Sequence, residues 1–142
     1  MTRIIAALSF LLFSCILNAQ DLTGKWTSYK KGIAKSIVEI YLDNGIYYGK
    51  IIRLINPPDG NMHPLCIKCK GNLKNQPVVG MVIIKDMQKE GNIFAKGTIL
   101  NPENGKVYSL KLSFSPNDAN TLVVKGSVGP FSETQYWKRV KE

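Results

Sequence analysis

Beyond residue 20, no stretch of this chain repeats its apolar residues with a helical period, and that limits the fold more than any other feature. Short runs rich in Val, Ile, Tyr and Thr recur instead, each followed by turn-forming residues. The runs span 25–29, 35–42, 46–55, 78–85, 92–100, 106–115, 121–128 and 134–140. Asp43-Asn44-Gly45, Asn101-Pro102-Glu103-Asn104-Gly105 and Pro116-Asn117-Asp118-Ala119-Asn120 punctuate them, with Glu90-Gly91-Asn92 as a weaker turn. A single helical turn near residues 86–89 is all the helix this pattern accommodates.

Alternation agrees with the strand reading. Tyr108, Leu110, Leu112 and Phe114 face one way, and Leu122, Val124, Gly126 and Val128 do the same in the next run. The segment 37–42 is apolar on both faces, so its orientation stays open. Eight strands joined by short connections would leave two exposed edges unless the sheet closes. Gly49, Gly80, Gly97 and Gly126 fall inside strands, where glycine marks a bend or a close backbone approach. A two-sheet sandwich shows the same alternation. Successive hairpins without a long crossover favour an all-β fold, a single eight-stranded up-and-down antiparallel β-barrel.

The first residues read as an address rather than as fold. Arg3 precedes an apolar run at 4–13, and Ala19 stands before Gln20-Asp21, the layout of a secretory signal peptide. The run is too short to span the roughly 30 Å of a bilayer core. The expected organisation is a cleaved signal peptide over 1–19 and one domain over 20–142, periplasmic or secreted and not membrane-spanning. Lipidation at Cys15 is the alternative, which the bulky Phe13 fits less well. The remaining Cys66 and Cys69 lie in a long polar loop beside His63. A small disulfide, a redox pair, a metal site with His63 and free thiols are the readings that stay open, with the disulfide first in an oxidising compartment.

Gly24-Lys25-Trp26 in the first strand and Tyr136-Trp137-Lys138-Arg139 in the last resemble the lipocalin pattern, in which an arginine near the chain end packs on a tryptophan of the first strand. The resemblance implies that Gly24, Trp26 and Arg139 seal a barrel floor. Longer stretches are similar to the bacterial exported family called domain of unknown function 2147. These include Gly45-Ile46-Tyr47-Tyr48-Gly49-Lys50-Ile51, Cys66-Ile67-Lys68-Cys69-Lys70-Gly71, the run from Gly97 to Tyr108, and Gln135-Tyr136-Trp137-Lys138-Arg139-Val140. That family usually has Asp where Asn101 stands and Thr where Tyr136 stands. The resemblance implies a lipocalin-like, calycin-type barrel outside the cytoplasm and no particular activity.

The expected function is binding of a small hydrophobic or amphipathic ligand, such as a fatty acid or lipid, inside the barrel. Tyr48, Phe94, Tyr108, Phe114, Tyr136 and Trp137 are the candidate lining, apolar bodies with some hydroxyl handles. The formal net charge of +9 suits an anionic head group. It equally suits the alternative, a filled barrel whose basic surface binds anionic lipid or polysaccharide. Export makes nucleic acid a poor partner. With one histidine and no nucleophile, P-loop or metalloprotease motif, neither a catalytic residue nor a cofactor or metal is expected. A monomer or weak dimer is expected.

Overall fold

Asn44 and Gly45 both take positive φ, 49° and 80°, as a two-residue hairpin turn matched to the twist of its strands requires. Reversals of this kind organise the chain throughout. A computed structural model describes residues 20–141. The expected leader at 1–19, with Cys15, lies outside the described residues.

Eight strands follow in order: β1 (Gly24–Lys30), β2 (Ile33–Asp43), β3 (Ile46–Leu54), β4 (Val82–Glu90), β5 (Ile93–Asn101), β6 (Lys106–Ser115), β7 (Asp118–Val128) and β8 (Phe131–Arg139). Each pairs antiparallel with the next, and β8 returns to β1, so the sheet closes into an up-and-down barrel. The sandwich alternative is thereby excluded. Residues 86–89 form no helical turn. They continue β4, because Asp86 at φ 61° absorbs an irregularity without ending the strand. The short 3-10 turn instead falls at Gly71–Leu73. Residues 78–81 precede β4; Val78 and Met81 are buried, and Gly80 and Met81 still exchange backbone hydrogen bonds with Ile51 of β3.

Chain direction sorts the connections onto two ends. The turns β2–β3, β4–β5 and β6–β7 share one end with the N-terminal segment, and the other connections share the opposite end. The first end is closed. Trp26 is fully buried, and its Nε1–H donates to the Leu22 carbonyl at 3.0 Å, drawing residues 21–23 across the opening. The Arg139 guanidinium lies 4.2 Å from the centre of the Trp26 ring. It donates through Nη1 to the Thr23 carbonyl at 3.1 Å and through Nη2 to the Asp21 carbonyl at 2.6 Å. Gly24 leaves space for it, since a side chain there would meet Arg139 Nη1 at 3.0 Å. At the same end, the Thr121 hydroxyl and then the Asn120 amide hold the Asp118 carboxyl below its usual range.

Above this floor the interior is packed by aromatics. Trp26 and Phe114 lie 6.3 Å apart between ring centres, Phe114 and Phe94 6.1 Å, and Phe94 and Tyr47 5.1 Å. The β4 backbone passes directly over Gly97, where any Cβ would collide with Lys85 O and the Met87 amide. At Gly126, by contrast, a Cβ would meet only the Tyr108 side chain, whose Cβ lies at an ordinary 3.6 Å.

Two predictions follow from this packing. Gly97→Ala should lose about 1–3 kcal/mol, while Gly126→Ala should stay within about 0.5 kcal/mol, in urea unfolding. Arg139→Ala, which removes two charge-assisted bonds and the indole stacking, should cost about 2–3 kcal/mol by the same measurement.

Candidate functional site

Small side chains hollow the upper half of the barrel. Passing away from the floor, inward positions change from Trp26 to Ser28 on β1, from Ile40 and Val38 to Ser36 on β2, and from Leu122 and Val124 to Gly126 on β7. The space they leave is a cavity of about 800 Å³. Ile51, Ile83, Ile99 and Val124 line its walls, with Trp137 and Tyr108 as aromatic members and Tyr29 and Phe131 toward the mouth.

Several polar groups on the walls are paired. Ser28 and Ser36 share a hydrogen bond of 2.6 Å between their hydroxyls. Trp137 Nε1–H donates to Gln135 Oε1 at 3.2 Å, and Asn104 Nδ2 donates to the Tyr108 hydroxyl at 2.9 Å. Nearer the mouth the lining becomes charged, with Lys30, Lys35, Lys68, Asp59, Glu103 and Glu133. Lys30 and Glu103 lie 3.6 Å apart as an ion pair.

The mouth is partly covered by the long connection from β3 to β4. Its order comes from backbone bonding: Cys66 donates to Gln76 O at 2.8 Å, Asn75 to Cys66 O at 2.8 Å, and Val78 to Pro64 O at 3.0 Å. Cys66 and Cys69 form a disulfide within it, and both are buried. Cys66 Sγ sits 3.5 Å from Pro102 O, so the loop rests on the β5–β6 turn. Gly105 permits that seat: it has φ 72°, and a side chain there would collide with the Lys68 carbonyl. Leu65, Ile67 and Lys68 thereby reach the cavity edge.

The six aromatic residues expected in the lining separate into three groups. Tyr108 and Trp137 stand in the cavity. Phe94 and Phe114 pack below it with Trp26 and Tyr47. Tyr48 and Tyr136 lie outside the barrel: Tyr48 stacks on Tyr41 at 5.8 Å, where Lys50 also approaches, and Tyr136 is 57% exposed. Alternation explains both departures, because Tyr47 and Trp137 face inward and their immediate neighbours must face out. Sequence reasoning passed over Ser28, Ser36, Ile51, Ile83, Ile99 and Gln135. The signal for Ser28 and Ser36 is the run of small inward residues at the upper ends of β1, β2 and β7.

Glu39 lies on the outer wall beside Lys50, and Glu133 stands at the mouth, so these two carboxylates do not form a pair. Among the described residues, no three His, Cys, Asp or Glu side chains gather to hold a metal, and His63 is exposed. No helix among them is long and apolar enough to cross a membrane.

Residues 24–139 match the family model described as "Uncharacterized protein conserved in bacteria (DUF2147)". Among solved structures, the chain is similar to protein HP1028 from the human pathogen Helicobacter pylori, described as belonging to the lipocalin family. The likeness has 24% identity and a TM-score of 0.74, covering 87% of this chain and 86% of that one. No curated protein matches the chain.

The loop disulfide can be checked by alkylating the native protein and mapping peptides. Cys66 and Cys69 should be modified only after reduction. Modification of both without reduction, with zinc co-purifying, would contradict the pairing. Replacing both cysteines by alanine should cost about 2 kcal/mol, since the bridge closes only a short loop.

Proposed function

The chain belongs to the bacterial family DUF2147, and from that membership and its barrel we propose an exported carrier of one small hydrophobic or amphipathic molecule. The cavity of about 800 Å³ carries this reading, because its size falls within the roughly 300–1,000 Å³ of small-molecule sites. Its lower walls are aliphatic and aromatic, so an acyl or isoprenoid chain would be stripped of water there by the hydrophobic effect. Hydroxyl, amide and charged groups occur toward the mouth, where the polar end of an amphiphile would stay partly solvated. Lys35 and Lys68 on that wall favour an anionic head group, such as the carboxylate of a fatty acid.

The hollow upper half favours this reading over a filled barrel. Tyr108 and Trp137 serve as aromatic lining, and Gln135 orients the Trp137 indole. The disulfide suits an oxidising compartment, which supports placing the protein in the periplasm or outside the cell. The likeness to a lipocalin supports the barrel as a binding fold, and the cavity supplies the chemistry. Binding, rather than turnover, is the activity proposed.

Native mass spectrometry of the protein purified from its own host, followed by lipid extraction, tests the reading directly. A retained amphiphile supports it, and a ligand-free interior that also fails to take up cis-parinaric acid sinks it. Ile99→Trp, which fills the cavity, should weaken uptake of that probe about tenfold or more. Tyr136→Ala, on the outer wall, should leave uptake unchanged.

A further inference from the structure

The two ends of the barrel differ in what they show to solvent. Ile33, Met62, Leu65, Ile67, Val128 and Phe131 are large apolar side chains exposed at the mouth end, with Phe131 75% and Ile67 73% accessible. The floor end exposes only Leu42 and Ile93 among the described residues. A cluster of this kind on one end of a small protein is costly in water, and it marks a surface that meets something apolar.

Charge divides the same way. Lys31, Lys68, Lys70, Lys74 and Lys106 are exposed around the mouth. Asp59, Glu103 and Glu133 are the acids of that end, and Glu103 is already paired with Lys30. At the floor end, Asp21, Asp43, Glu90 and Asp118 offset the lysines, with Glu90 paired to Lys96 at 3.0 Å and Asp118 4.0 Å from Lys138. The excess positive charge of the chain is therefore concentrated around the apolar rim.

We propose that the mouth of the barrel docks on the surface of an anionic lipid bilayer. Apolar side chains interleaved with lysines are the composition that enters the boundary between head groups and acyl chains while cations remain at the phosphates. The lysines supply attraction on the order of fivefold in affinity each, screened by salt. Ile67 and Phe131 enter the interface, and since both also line the cavity, the apolar interior becomes continuous with the acyl layer. An amphiphile then passes between membrane and barrel without crossing bulk water. The docking deepens the carrier reading and rests on it for the cargo.

Two triple variants of equal charge change test the placement. The mouth variant carries Ile33→Ser, Lys70→Glu and Lys106→Glu, none of which lines the cavity. The floor variant carries Leu42→Ser, Lys89→Glu and Lys141→Glu. Each is purified from the native host beside the wild type, so any contribution of the N-terminus is common to all three. Co-sedimentation is measured with phosphatidylcholine vesicles with and without phosphatidylglycerol. The wild type should bind the anionic vesicles and lose binding at high salt. The mouth variant should bind at least about tenfold more weakly, and the floor variant within about threefold of wild type.

Equal losses in the two variants, or no wild-type binding, overturn the proposal. So does binding to soluble dextran sulfate as tight as to vesicles and indifferent to Ile33→Ser, which reassigns the face to an acidic polymer. Uptake of cis-parinaric acid from vesicle-free solution is read on the same proteins. Normal uptake without vesicle binding overturns the docking and leaves the carrier reading intact. Mouth-dependent vesicle binding without uptake supports the docking and overturns the carrier reading.

Discussion

The Trp26 indole, held beneath the Arg139 guanidinium, joins the first strand to the last. In the register of β1 with β8, only Trp26 with Arg139 and Thr27 with Lys138 are partnered, whereas β1 and β2 are partnered along nearly their whole length. The seam that closes the barrel is therefore its shortest ladder, and side chains reinforce it. Arg139 reaches the carbonyls of Thr23 and Asp21, and Trp26 reaches that of Leu22, so one pair of residues fixes the seam and covers the floor together. If the seam opened, β1 and β8 would become exposed edges and the interior would lose its closed end. A cavity with a single entrance exists because this end is sealed.

Side-chain volume along each strand then decides where the barrel is solid and where it is hollow. Trp26, Phe94 and Phe114 fill the section just above the floor. Ser28, Ser36 and Gly126 occupy equivalent inward positions nearer the mouth and cannot fill the same cross-section. Eight strands enclose an interior that side chains can just fill, so a few small residues suffice to create a binding volume. The hydroxyl pair of Ser28 and Ser36 is satisfied internally, which lets that polar wall line a cavity without leaving unpaired groups.

Strand number, order and hairpin turns were legible in the sequence because turn chemistry and period-2 patterning are local properties. The floor was legible through the resemblance carried by Gly24, Trp26 and Arg139. The cavity was much less so. Aromatic content drew attention to Tyr48 and Tyr136, yet each adjoins a residue that faces inward, and strand geometry forbids both neighbours from sharing a face. Orientation was hard to assign elsewhere because register shifts, as between Ile37 and Val38, interrupt a strict alternation. The course of the β3–β4 loop depends on contacts distant in sequence, such as Cys66 with Pro102, and no local pattern encodes those.

That loop is the one connection that breaks the short-hairpin plan, and its position follows from parity. A connection leaving β3 must emerge at the mouth, because β1 starts at the floor and each strand reverses direction. The bulk of the loop is therefore placed over the entrance. Its disulfide rests against the β5–β6 turn, with Gly105 beneath the Lys68 carbonyl, so these two mouth elements are held in one arrangement. Leu65 and Ile67 occupy the rim because the buried Cys66 and Cys69 anchor the segment between and beside them. Burying the sulfurs turns the adjacent apolar side chains outward, which is why the rim stays apolar in a loop otherwise rich in polar residues. The geometry of the entrance and its surface chemistry thus come from the same two cysteines.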